Sequence, residues 1–173
     1  MYNYKTFLIF CFGLITLASC NDDDDDPSVD RNLLVSTDWQ GTTATTVSTT
    51  SLQGLGEQTD TETTDISDVV LEFQEEGTYI VYNVDPDDGS LEQLSTDTWM
   101  LEGNILTLVG ARTFILDFID TEDFPIDLEG LDISEDLTVV QLSENNLELF
   151  TEFSDNISGL SVEADITINF NSR

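Results

Sequence analysis

Carboxylates are the only abundant reactive side chains in this 173-residue chain. Thirty-six Asp and Glu stand against four Lys and Arg, with no histidine and two cysteines. That excludes His-based acid–base chemistry, Ser–His and Cys–His nucleophiles, and His/Cys zinc sites. With so many acids, spacing alone nominates no pair as a glycosidase dyad, and no enzymatic activity is expected. Asn83–Gly89, reading NVDPDDG, places Asp85, Asp87 and Asp88 close together. Such hard oxygen ligands suit calcium, although the glycine is out of register with the EF-hand loop and the distal glutamate is missing. The stretch therefore reads as a solvated acidic turn, with calcium as the one cofactor left open; Asp117–Asp123 offers similar ligands. Arg112 is the lone cation of the central chain and could anchor a ligand carboxylate or phosphate, or pair with neighbouring acids. Tyr82, Trp99, Phe114, Phe118 and Phe150 are candidates for lining a cavity, or for filling a core.

The N-terminus carries a second kind of chemistry. Met1–Ser19 has one positive charge, Lys5, followed by an apolar run from Phe7 to Leu17. That run is too short to cross a hydrocarbon core and suits the apolar segment of an export signal. Leu17-Ala18-Ser19-Cys20 resembles the lipobox of bacterial lipoproteins. The resemblance implies cleavage before Cys20, lipidation of its thiol, and a membrane anchor. Two or three acyl chains hold a protein stably where one does not. Residues 1–19 are then a signal peptide and 20–33 a lipidated tether containing Asp22–Asp26, a block of like charge that stays extended. An acidic stretch directly behind the cysteine resembles the surface-export signals of some Gram-negative lipoproteins. It implies the outer membrane and its outer face; in other bacteria acidic residues at this place instead retain a lipoprotein in the inner membrane. The mature chain would lack lysine and hold a single cysteine, Cys20, so no disulfide could form within it. Its polyanionic surface should repel nucleic acid and anionic head groups.

These groups must be positioned by a folded body. From Cys20 onward about 30% of residues are Leu, Ile, Val or Phe, above the roughly 20% below which disorder is expected. The length suits one domain, residues 34–173, with one core. Alternation and turn residues dominate, with no sustained helical period. Strands are expected at Trp39–Ser51, Asp68–Phe73, Thr78–Val84, Thr96–Glu102, Ile105–Val109, Thr113–Ile119, Leu137–Ser143, Leu147–Phe153 and Leu160–Phe170. Gly103-Asn104 and Asn145-Asn146 mark tight hairpins. In the last strand Val162, Ala164, Ile166, Ile168 and Phe170 face one way and Glu163, Asp165, Thr167 and Asn169 the other, as antiparallel sheets show. Thr50–Ser67 reads as a long polar loop at a barrel mouth, and Asp120–Asp136 as a lid or short helix. The whole reads as all-β, an antiparallel up-and-down barrel or a strongly curved sandwich of about eight strands.

Trp39 at the first strand, Phe73 before Gly77-Thr78-Tyr79, and the hairpin Trp99-Met100-Leu101-Glu102-Gly103-Asn104-Ile105-Leu106 follow an order that resembles the lipocalin-like domains of bacterial lipoproteins. The resemblance implies a barrel that binds a small apolar or amphipathic molecule. It also implies a late arginine packed against Trp39, a place only Arg173 could fill. The alternative function is a surface interaction module that binds a protein, a glycan or divalent cations through acidic loops.

Overall fold

The computed structural model describes residues 29–52, 56–118, 134–157 and 160–173. The export segment, Cys20, the Asp22–Asp26 run and most of Asp120–Asp136 lie outside the described residues. Nine strands account for most of the chain: β1 Trp39–Leu52, β2 Gly56–Asp65, β3 Val69–Phe73, β4 Thr78–Val84, β5 Leu91–Glu102, β6 Ile105–Leu108, β7 Asp136–Leu142, β8 Asn146–Ile157 and β9 Leu160–Ser172. Two short helices complete the description, α1 Arg31–Leu34 and α2 Ala111–Asp117. All pairings are antiparallel. They join neighbours in sequence except that β1 also pairs with β3 and with β9, and the β1–β9 pairing closes eight strands into a barrel with β2 as an extra strand. Closure by the first and last strands removes the edges an open sheet of this size would expose.

β1 decides the architecture, because its two ends have different neighbours. On one side it pairs with β9 from Trp39 to Leu52. On the other it pairs with β3 through Trp39 and Gln40, then with β2 from Thr43 to Leu52. The switch falls at a register shift between Gly41 and Thr43. Gly41 is required there: a Cβ would lie 2.3 Å from the carbonyl oxygen of Ile66, where the chain crosses from β2 to β3. Beyond the bulge, β2, β1, β9 and β8 continue as a four-stranded sheet that projects past the barrel, since β7 pairs with β8 only as far as Phe150.

The opposite end is plugged. Asp30 caps α1 by accepting from the Asn32 amide, and Leu34 is fully buried beneath the barrel. The Trp39 indole N–H donates to the Leu34 carbonyl at 2.8 Å, so the buried ring leaves no polar atom unpaired. Trp99 donates to the Gln74 and Thr78 carbonyls, and the Arg31 guanidinium lies 4.0 Å above its ring while bonding the Glu75 carbonyl. The stacking cation is thus Arg31 on Trp99. Arg173 instead reaches the Gly89 carbonyl, and its backbone N–H donates to Asp38. The folded body therefore includes Val29 and α1, within the span expected to be tether.

Two expectations are corrected. Residues Thr50–Ser67 are largely a hairpin arm, β1 running on to Leu52 and β2 returning in ten consecutive pairs. Its sequence lacks apolar alternation because β2 is exposed along most of its length. Threonine's β preference and cross-strand hydroxyl contacts, Thr45–Thr63 and Thr49–Thr59 at 3.2 Å, hold it instead. The expected strand Thr113–Ile119 is helix α2 from Thr113 to Asp117, and Ile119 lies outside the described residues. Around α2 the buried residues are Ala111, Phe114, Ile115 and Phe118, the i, i+3, i+4, i+7 spacing of a helix face.

Candidate functional site

The interior changes character from one end of the barrel to the other. Across β1, β9 and β8, inward residues form rows fixed by register: Ala44–Ile168–Leu149, then Thr46–Ile166–Thr151, then Ser48–Ala164–Phe153. Towards the plugged end the inward residues are bulky, among them Leu71, Phe73, Tyr79, Leu106 and Phe170, and all are buried. Phe73 packs edge-on against Trp99 at 5.4 Å. Towards the projecting end Thr46, Ser48, Ala164 and Thr151 make a floor of mostly small side chains, with Ile166 and Phe153 set among them. Above β6, α2 contributes Phe114 and Phe118, whose rings meet edge-on at 5.6 Å within the same continuous core.

Two threonines, Thr46 and Thr151, are the buried polar residues among those described. They flank Ile166 in one row, about 10 Å apart from the spacing of strands. The Thr151 hydroxyl is buried and has no hydrogen-bond partner. A buried hydroxyl left unpaired costs roughly 1–3 kcal/mol, so this position is one where a guest's polar atom would be welcomed. Small residues below, two phenylalanines in the same core and one unpaired hydroxyl suit an apolar or amphipathic molecule with a single hydrogen-bonding group.

The residues nominated from sequence separate into three places. Phe114 and Phe118 come together on α2. Trp99 stands at the plugged end, with its N–H and its ring face both engaged. Tyr82 and Phe150 point outward, one residue out of phase with the buried Val81 and Leu149. The Tyr82 hydroxyl donates to Glu72 at 2.6 Å, and that bond pushes its pKa up to about 12. Tyr79 faces inward and donates to the Val109 carbonyl at 2.6 Å; burial, with Asp97 and Glu135 nearby, pushes it likewise to about 12. Arg112 lies in the first turn of α2, half-buried, rather than between two strands. Thr151 was missed, yet its phase was legible: Leu147, Leu149, Thr151 and Phe153 alternate inward, and aromatic character favoured Phe150 over that phase.

The carboxylates of the acidic turn make local hydrogen bonds to its backbone. Asp85 accepts from the Asp87 amide, and Asp88 from the Ser90 amide, each carboxylate capping its own turn. The Ser90 bonds hold the Asp88 carboxyl below its usual range. Among the described residues, no group of three or more acidic or cysteine side chains is arranged around a point that could hold a metal. Where β1 changes partner, an open outer groove of about 440 Å³ is lined by Gln40, Gly41, Thr42, Asp65, Ser67, Asn171 and Ser172. Apart from Gly41 its lining residues carry polar side chains. Among the described residues no helix is long and apolar enough to cross a membrane.

The fold defines the class: a closed eight-stranded antiparallel β-barrel with one added strand. Comparison with protein-family models, curated proteins and solved structures returned no match to this chain.

Proposed function

We propose that this protein is a lipoprotein of the cell envelope. Cys20 anchors it in the outer membrane, on the outer face, and its non-catalytic barrel holds a small apolar or amphipathic molecule at the projecting end. The Thr151 hydroxyl carries the binding part of this reading. It is buried and unpaired near the small inward residues Thr46, Ser48 and Ala164, while towards the plugged end the inward positions are mostly bulky. The lipobox-like Leu17–Cys20 carries the anchoring part. Carboxylates without histidine, lysine or a metal cluster in the described body favour binding over catalysis.

Native mass spectrometry of the protein extracted gently from its own membrane tests both parts in one spectrum. The expected species begins at Cys20, carries two or three acyl chains and retains a discrete small-molecule adduct. Thr151→Val should lower the occupancy of that adduct without unfolding the barrel. A chain without acyl mass overturns the anchor. A lipidated chain that is always bare, or an adduct indifferent to Thr151→Val, overturns binding at this floor.

A further inference from the structure

Closure of the barrel leaves one long strand outside it. Among the described residues β2 pairs with β1 alone, through ten consecutive residue pairs and without a bulge. Eight of its ten residues are exposed. An edge of this length is an open template for another strand, and proteins ordinarily blunt such edges with proline, lysine, a bulge or brevity. β2 has none of these devices. What it has is charge of one sign: Glu57, Asp60, Glu62 and Asp65, with no base. Two copies of β2 set edge to edge would bring carboxylates into apposition, which destabilises a strand pair. The chain as a whole, with 36 acids against four bases, adds repulsion between copies at longer range. The same charges attract a strand that carries lysine or arginine at alternate positions. Acidic side chains alternate to both faces of β2, with Glu57 and Asp65 on one and Asp60 and Glu62 on the other, so a cationic strand would find partners whichever face its side chains take.

We propose that the free edge of β2, Gly56–Thr61 foremost, receives an extended cationic segment of another protein as an added antiparallel or parallel strand. Backbone hydrogen bonds supply the pairing and the acids supply the selection. The arm is suited to this because it projects beyond the barrel and its strand conformation is already set by β1, so the edge needs no further ordering.

The test uses the full chain and three synthetic ten-residue peptides: alternating Lys and Thr, alternating Glu and Thr, and the Lys–Thr peptide with two central residues replaced by proline. Amide hydrogen exchange is followed residue by residue. The Lys–Thr peptide at saturation should slow exchange within Gly56–Thr61 by about tenfold, and its affinity should fall several-fold between 0.05 and 0.5 M salt. The other two peptides should leave the segment unprotected. Glu57→Lys combined with Asp60→Lys changes only exposed positions, and it should transfer the preference to the Glu–Thr peptide. Four outcomes overturn the proposal: no protection by Lys–Thr, equal protection by the proline peptide, protection appearing on β8 beyond Phe150 instead, or a preference that the double variant fails to invert.

Discussion

The two ends of this barrel solve the same problem in opposite ways. At the plugged end every large side chain has a fixed partner. Trp39 is tied to Leu34, Trp99 to two carbonyls and to Arg31, and Phe73 sits between Trp99 and Tyr79. At the projecting end, the same strands also carry threonine, serine and alanine inward; among the described residues one buried hydroxyl has no partner and β2 leaves an edge unpaired. Burial and hydrogen bonding are saturated at the first end and incomplete at the second. Stability and capacity to bind are thus separated along one set of strands, and changes at the two ends should have effects of different size and sign.

The largest effect is expected from Trp39→Ala, which removes a fully buried indole and strands the Leu34 carbonyl. It should cost about 3–5 kcal/mol in chemical denaturation; a loss below 1 kcal/mol would show that the plug is not the stable end. Gly41→Ala should follow at about 1–3 kcal/mol, because the new Cβ meets the Ile66 backbone and neither segment can yield without disturbing the switch from β2 to β3. Thr151→Val reverses the sign. It replaces an unpaired hydroxyl by a methyl of similar shape and should stabilise the ligand-free protein by about 1 kcal/mol. A destabilisation there would mean that the hydroxyl is satisfied in solution and that the two ends are alike.

Alkaline pH probes the comparison more gently. Tyr79 and Tyr82 both have folded pKa values raised to about 12 from the usual 10. A raised value means the folded state keeps the proton longer than the unfolded one. The stability they contribute is therefore complete below pH 10 and is lost as pH climbs towards 12, by about 1 kcal/mol after allowance for solvent at the hydroxyls. Urea midpoints between pH 9 and 12 should fall, and Tyr82→Phe should flatten part of that fall. The smallest effect belongs to the arm. Thr63→Ala removes one exposed hydroxyl contact with Thr45 and should cost no more than about 0.5 kcal/mol by thermal melting.

Most of the barrel was legible from residue order. Phase-two alternation in Thr78–Val84 and Leu160–Phe170, with Gly103-Asn104 and Asn145-Asn146 between strands, gives strand identity and meander order directly, because each short turn leaves antiparallel neighbours no other choice. The misreadings share a cause. In Ala111–Phe118 a short apolar run satisfies both periods, and β-favouring Thr, Phe and Ile weighed against the helical spacing of the residues that are in fact buried. In Gly56–Asp65 alternation is absent because β2 is exposed on most of its residues, so the strand leaves no hydrophobic trace. The floor of the candidate site was half legible: the phase of Leu147, Leu149, Thr151 and Phe153 places Thr151 inside, but no local pattern tells that its hydroxyl finds no partner.

By itself the sequence determined that this chain is all-β, strongly acidic and without histidine chemistry. These follow from composition, local periodicity and short motifs, which are properties of neighbours in the chain. Tertiary structure alone decided that β1 closes on β9, that it exchanges β3 for β2 at Gly41, that Trp99 supports the plug, and that, among the described residues, the Thr151 hydroxyl and the outer edge of β2 lack partners. Those are relations between residues up to about 130 positions apart. They are set by which backbone and side-chain groups run out of partners once the barrel has closed, and no local segment carries that information.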